Sequence, residues 1–140
     1  MEDPENAATE NICKGLSQAF QGLLSWKWDG RLEAVLAEFA AKKKEAIRPI
    51  LEKYLPVLWT GPTIAGAPGP VREVNARLGG LREGQLFFSS GPGEGAFVYC
   101  AWWPWGDGKT ISVRIASFSP DERAAEKDER SRRLKSWFGI

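Results

Sequence analysis

Two strand-like segments around an Asp-Gly turn constrain the fold of this chain more than any other feature. Segments Ala96–Trp103 and Thr110–Phe118 are rich in aromatic and β-branched residues, and Asp107-Gly108 between them is typical of a two-residue hairpin turn. With those two residues in the turn, Trp102 lies opposite Val113, and this pairing fixes the register of the whole hairpin.

A third strand is predicted just before this hairpin. Segment Gln85–Ser90 has strand composition, and the glycine-rich stretch at 91–95 separates it from the next strand. The sequence therefore predicts a three-stranded antiparallel meander.

The hairpin register divides the side chains between two faces of the sheet, because successive residues of a strand point to opposite sides. One face is apolar and core-like, with Val98, Cys100, Trp102, Val113 and Ile115. The opposite face carries Phe97, Tyr99, Trp103, Trp105, Ser112, Arg114 and Phe118. A second helical layer could bury these aromatic rings as core. Alternatively, the face is a platform for a protein partner or for stacked bases, since Trp, Tyr and Arg are enriched in binding hot spots.

Helical periodicity dominates the rest of the chain. The period that begins at Thr9 and a second apolar stripe from Leu32 to Tyr54, with Pro49 inside it, predict an antiparallel helical hairpin. A short third helix is predicted at Val71–Leu78, after Pro70. A C-terminal helix is expected to start at Ser119, with Pro120 at its first position and Glu122 at its third.

Together these elements predict one α+β domain over residues 1–140. In chain order it has an N-terminal antiparallel helical hairpin, a short third helix, the three-stranded antiparallel meander and the C-terminal helix. Residues 1–8 are interpreted as a polar tail, and residues 60–70 as a Pro/Gly-rich connector over the surface.

The absence of histidine from all 140 residues restricts the possible chemistry. It rules out Ser-His-Asp and Cys-His nucleophile systems and histidine-containing zinc sites. Cys13 and Cys100 cannot form a four-cysteine site and are interpreted as buried, reduced thiols. Gly108-Lys109-Thr110 imitates the end of a phosphate-binding loop, but a strand rather than a helix is predicted after it. No catalytic residue, metal or cofactor is assigned.

Charge and hydropathy give weaker indications. The 19 basic and 18 acidic residues leave a net charge of +1, so any attraction to nucleic acid must come from local clusters. No apolar segment approaches the ~20 residues that span a bilayer. The acidic N-terminus does not resemble a signal peptide, which favours a cytoplasmic protein without membrane contact.

Three functions remain open. The first is a non-enzymatic protein-binding module, such as an adaptor, accessory subunit or small regulator, with partner-binding residues Phe97, Tyr99, Trp103, Trp105, Arg114 and Phe118.

The second is nucleic-acid binding through basic clusters combined with aromatic residues. The clusters are Arg130, Arg132, Arg133 and Lys135, together with Lys42, Lys43 and Lys44. The segment 71–81 resembles the first helix of a helix-turn-helix unit, but a strand is predicted where the second helix is required.

The third is a small-ligand binder or a histidine-independent enzyme with a pocket between the helices and the sheet. Tyr99, Arg114 and Glu94 are its candidate residues. The sequence does not determine the oligomeric state.

Overall fold

The computed structural model describes residues 4–91 and 95–140, with side chains from residue 7 onward. In that part of the chain, four helices accompany one six-stranded sheet. The helices are α1 (Pro4–Ala19), α2 (Lys44–Tyr54), α3 (Gly69–Arg77) and α4 (Ala124–Trp137). The strands are β1 (Lys27–Asp29), β2 (Ala34–Ala40), β3 (Val57–Trp59), β4 (Leu86–Ser89), β5 (Phe97–Pro104) and β6 (Thr110–Phe118). Short 3₁₀ turns cover Ala41–Lys43 and Ile64–Gly66.

All neighbouring strands are antiparallel, in the order β1-β2-β6-β5-β4-β3. The predicted hairpin register is correct, because Trp102 lies opposite Val113 and Phe97 opposite Phe118. The expectation of a three-stranded meander is wrong. Strand β3 extends the predicted sheet on one side, and the β1–β2 hairpin extends it on the other.

The predicted N-terminal helical hairpin is also wrong. The apolar stripe predicts that a helix starts at Leu32, but residues 32–39 form the end of the turn after β1 and most of β2. Ala, Leu and Glu in this segment are strong helix formers, and its apolar spacing fits either period. In the structure Val35, Ala37 and Phe39 alternate inward along a strand.

Helices α1 and α2 nevertheless pack together. A β-carbon at Gly15 would overlap the ring of Tyr54 on α2. Glycine therefore permits a close approach between two helices that are separated in the chain by a β-hairpin.

The remaining two helices differ in how well the sequence located them. The short third helix is present as α3, within about two residues of its predicted bounds, and Gly79 ends it with a φ of 94°. The last helix begins at Ala124 rather than after Ser119, and Arg123 at its start makes no side-chain cap. Helix α1 already begins at Pro4, inside the stretch interpreted as a polar tail.

The sheet separates two layers. Its inner face packs against α1, α2 and α4, which bury Cys13, Leu16, Leu51 and Leu134. On the other face, called the outer face, α3 and the connector before it contribute Val71, Val74 and Ala67 to the same core. Within the described ranges, no helix is long and apolar enough to cross a bilayer.

Candidate functional site on the open half of the sheet

The outer face has a covered half and an open half. The covered half, over β3, β4, most of β5 and the last residue of β6, consists of Trp59, Phe87, Phe97, Tyr99 and Phe118. The open half, over β1, β2, β6 and the end of β5, consists of Lys27, Asp29, Leu36, Glu38, Trp103, Trp105, Ser112 and Arg114. Both halves belong to one continuous face, because the register aligns these side chains across the strands.

The six residues predicted to bind a partner all belong to this face, but they differ in exposure. Phe97, Tyr99 and Phe118 are buried in the covered half, with exposures of 3%, 6% and 7%. There the Arg77 guanidinium of α3 lies 5.3 Å from the Phe118 ring centroid. These three side chains belong to the core rather than to a free surface.

The other three predicted residues meet in the open half. Trp105 is 45% exposed, just beyond the end of β5. Trp103 is half-buried, and the Arg114 guanidinium lies over its ring at 4.4 Å from the centroid. The structure therefore brings a tryptophan and an arginine into direct contact at the centre of the open half.

Asp29 holds Arg114 from the other side. Arg114 Nε donates a hydrogen bond of 2.9 Å to Asp29 Oδ2, and its Nη1 donates one of 3.3 Å to Ser112 Oγ. The guanidinium is thus fixed between an aromatic ring, a carboxylate and a hydroxyl, in the planar geometry that suits arginine better than lysine.

The turn between β1 and β2 also holds the Asp29 side chain in place. Its Oδ1 accepts hydrogen bonds from the backbone N–H groups of Arg31 and Leu32, at 3.1 and 3.2 Å. Glu33, in the same turn, has a φ of 53°, a left-handed conformation that is uncommon for a residue other than glycine. Asp29 therefore reaches Arg114 from a defined turn rather than from a long flexible side chain.

These contacts shift the ionisation of Asp29. Burial raises the pKa of its carboxyl group, but the hydrogen bonds from Arg114, Leu32 and Arg31 and the charge of Arg114 outweigh that effect. The pKa of Asp29 consequently lies below its ordinary value of 3.8, and the carboxylate is charged at neutral pH.

The rest of the open half is charge-balanced. Lys27 Nζ lies 3.1 Å from Glu38 Oε1, in a pair that crosses from β1 to β2. Half-buried Leu36 lies opposite Lys27 on the next strand, so the surface alternates apolar and paired polar groups. Both cationic side chains of the open half, Lys27 and Arg114, are therefore paired with carboxylates.

Sequence reasoning missed Asp29. Asp29 is the last residue of β1, and residues 30–33 connect it to Ala34 of β2, whereas the helical periodicity predicts no strand in this region. Asp-Gly favours a turn at this position, but the loop has four residues, so the dipeptide does not give the register here that it gives in the β5–β6 hairpin.

The C-terminal basic cluster is largely paired with other residues. Arg130 Nε donates to both carboxylate oxygens of Glu122, and its Nη1 donates to the Ser117 carbonyl. Arg132 and Arg133 both lie within ion-pair distance of Glu129. Lys135 lies 4.7 Å from the Trp28 ring centroid, and it faces the inner side of the sheet. Arg130 and Lys135 therefore attach α4 to the sheet, whereas Arg132 and Arg133 share the one carboxylate of Glu129 at the surface.

The two thiols and the Tyr99 phenol are protonated at neutral pH. Burial raises the pKa of the Cys13 thiol to about 12 and raises that of the Cys100 thiol even further. Both thiols are buried and unpaired, as predicted. Burial also raises the pKa of Tyr99 to about 12, although the nearby charges of Arg130 and Arg77 lower it in part.

Grooves beside α4 and beside α2 are lined by described residues that do not include the predicted ligand-binding residues Tyr99 and Arg114. One, of about 450 Å³, lies between α4 and the end of β6. The other, of about 670 Å³, lies between α2 and the end of the sheet. Glu94, the third predicted residue, lies outside the described residues. Within residues 4–91 and 95–140, no cluster of acidic or cysteine side chains could hold a metal ion.

Comparisons with protein-family models, with curated proteins and with solved structures found no significant match to this chain.

Proposed function

We propose that this chain is a non-enzymatic protein-binding module that docks a partner protein through the open half of its sheet. The observation that carries the proposal is the fixed assembly of Trp103, Arg114 and Asp29, with Trp105 exposed beside it. Adaptor, accessory subunit and small regulator are the roles that such a module would fill.

The geometry favours binding because the arginine is already held in place. An arginine that must be ordered on binding loses side-chain entropy, which reduces affinity. Here the Trp103 ring, Asp29 and Ser112 fix the guanidinium of Arg114 in the free protein. Preorganised tryptophan and arginine side chains are typical of the centre of protein interfaces.

The charge of the open half favours a protein partner over nucleic acid. Arg114 is paired with Asp29, and Lys27 with Glu38, so the surface would repel phosphates about as much as it attracts them. A partner with an apolar patch and a mixed polar rim complements it better, since interface cores exclude unpaired charge.

Affinity capture with matched variants tests this proposal. The bait would be wild type, Trp103→Ala, Trp105→Ala and the control Trp28→Ala, in a native lysate of the source cells. Trp28 is the matched control because it also stacks with a cation, Lys135, but on the inner face. We expect a defined set of proteins that wild type and Trp28→Ala recover and that both outer-face variants lose.

Equal recovery by all four baits would contradict the proposal, as would the absence of any specific protein on the wild-type bait. Circular dichroism of each bait distinguishes loss of binding from loss of fold. Trp105→Ala is decisive here, because its exposed ring contributes little to stability.

A further inference from the structure

A second surface lies at the end of the sheet, remote from the α4 basic cluster. The backbone N–H of Ala41 donates a hydrogen bond of 2.8 Å to the carbonyl of Lys109, which joins the 3₁₀ turn after β2 to the β5–β6 hairpin. This bond brings Lys109 close to the consecutive lysines 42–44. We call Lys42, Lys43, Lys44 and Lys109 the lysine end.

These four lysines differ from the other basic clusters in having no acidic partner. All four side chains are exposed, and among the residues the structure describes none of them forms an ion pair. The Asp107 carboxylate accepts the backbone N–H groups of Lys109 and Thr110 at its Oδ1, and Glu45 follows Lys44 in the chain, so the four lysines outnumber these two nearby carboxylates by two charges. The lysine end is therefore a local concentration of positive charge on a chain with a net charge of only +1.

The larger groove adjoins this charge. One wall is the end of the sheet, with the apolar side chains of Leu86, Pro104 and Ile111. The other wall is α2, with Lys44 and Glu45 and with the pair of Arg48 and Glu52, whose Nε and Oε2 lie 3.7 Å apart. Its volume of about 670 Å³ is within the range of small-molecule pockets and exceeds what one planar heterocycle needs.

From this geometry we infer that the lysine end binds single-stranded nucleic acid. The lysines neutralise successive phosphates, and the groove receives one base against its apolar wall, while polar groups of α2 face the edge of the base. A flat acidic membrane fits less well, because it could meet the lysines but could not enter a concave groove. The surface lies outside the open half, so this inference goes beyond the protein-binding function.

Salt dependence of oligonucleotide binding gives the first test. The probe is a fluorescein-labelled oligo-dT of about 15 nucleotides, long enough for one site, measured by anisotropy. Each neutralised phosphate contributes about −0.7 to the slope of log K against log salt, so four lysines predict a slope of about −2.8. Affinity should then fall about 50-fold between about 50 and about 200 mM salt.

Matched charge variants locate the site. The triple variant Lys42→Gln, Lys43→Gln and Lys44→Gln should retain a slope of only about −0.7, because one lysine contact remains. The control triple Arg132→Gln, Arg133→Gln and Lys135→Gln removes the same charge from α4 and should leave the slope near −2.8. Equal loss in both triples, or no binding of wild type at low salt, would overturn the inference.

A nucleic-acid backbone without bases tests whether the groove contributes to binding. An abasic deoxyribose-phosphate polymer of equal length should bind about tenfold more weakly with an unchanged slope, since stacking and apolar contact of the base are lost. Equal affinity for the abasic polymer would overturn the inference, because the site would then recognise polyanions in general. Binding to phosphatidylserine vesicles without binding to oligo-dT would overturn it in favour of a membrane surface.

Discussion

The two halves of the outer face have similar residues and different environments. Strand β5 runs through both: it places Phe97 and Tyr99 in the covered half, and then Trp103 near its end in the open half. Tyr99 stacks on Phe87 with ring centroids 5.4 Å apart, whereas Trp103 stacks on a charged arginine.

This difference shows that aromatic content alone does not identify a binding surface. An aromatic side chain stabilises the fold where a second layer covers it, and it remains available to a partner where only polar neighbours meet it. Of the predicted partner-binding residues, the aromatic side chains that remain available to a partner are therefore those of Trp103 and Trp105. Arg114, which was predicted with them, contacts Trp103.

The largest expected effect is in the covered half. Phe87→Ala should lower the free energy of unfolding by about 3–5 kcal/mol, because Phe87 is 1% exposed and its removal leaves a cavity beside Tyr99. Urea denaturation followed by circular dichroism would measure the loss. A change below about 1 kcal/mol would mean that the covered half is not packed as described.

The loss of stability at alkaline pH should test the packing of the covered half, because Tyr99 ionises there. Burial raises its pKa from 10.0 to about 12, so the unfolded state releases the phenolic proton first. Stability that Tyr99 confers is therefore complete below pH 10 and is lost as the pH rises towards about 12, by roughly 2–3 kcal/mol.

The comparison of wild type with Tyr99→Phe isolates this effect, since the variant cannot ionise at that position. In a Tyr54→Phe background, Tyr99 is the one remaining tyrosine, and tyrosinate absorbance should give an apparent pKa near 12. An apparent pKa near 10 would place Tyr99 in contact with water.

The loss of stability at acidic pH should test the Asp29–Arg114 pair in the open half, because Asp29 is protonated there. Asp29→Asn should cost about 1–2 kcal/mol at neutral pH, because it removes the charged partner of Arg114. The folded-state pKa of Asp29 lies below 3.8, so the unfolded state binds the proton first. The advantage of wild type over Asp29→Asn is therefore present above about pH 4 and is lost as the pH falls below it.

Glu38→Gln is the matched control for this prediction. It breaks the pair with Lys27, which lies on the same half but is exposed, and it should cost less than about 1 kcal/mol. If both variants lost the same stability, the Asp29–Arg114 pair would be an ordinary surface ion pair.

The smallest effect should be that of Trp105→Ala, within about 0.5 kcal/mol of wild type in urea denaturation. Its ring is 45% exposed, so little apolar area is lost from the core. A cost above about 2 kcal/mol would assign Trp105 to the fold instead of to a binding surface.

The parts of the fold that were predictable from sequence depend on local signals. The Asp107-Gly108 turn set the register of β5 and β6, and Pro70 marked the start of α3. Strand β2 was missed because its stabilising partner, β6, lies about 75 residues away in the chain, and such pairing leaves no local pattern. The residues of β2 taken alone favour a helix.

The predicted start of α4 was wrong for a similar reason. Ser119, Pro120 and Glu122 form a good local capping sequence, but Glu122 binds Arg130 with its carboxylate, and the helix begins two residues later at Ala124. A tertiary ion pair replaced the expected cap.

The candidate site was predictable in part. The hairpin register identified the outer face and placed Trp103, Trp105 and Arg114 on it. The cover over Phe97, Tyr99 and Phe118 depends on where α3 packs, which no residue of β5 or β6 specifies. Asp29 depends on the β1–β2 hairpin and could not be found once that segment was interpreted as helical.

Hydroxyl-radical footprinting of the protein, alone and bound to its captured partner, tests the central claim most directly. In the free protein we expect modification of Trp103 and Trp105 and protection of Phe87, Phe97 and Tyr99. Partner binding should then protect both tryptophans and leave exposed Leu58, on the inner face of β3, unchanged. Protection of Trp103 and Trp105 already in the free protein, or their unchanged modification in the complex, would contradict the account.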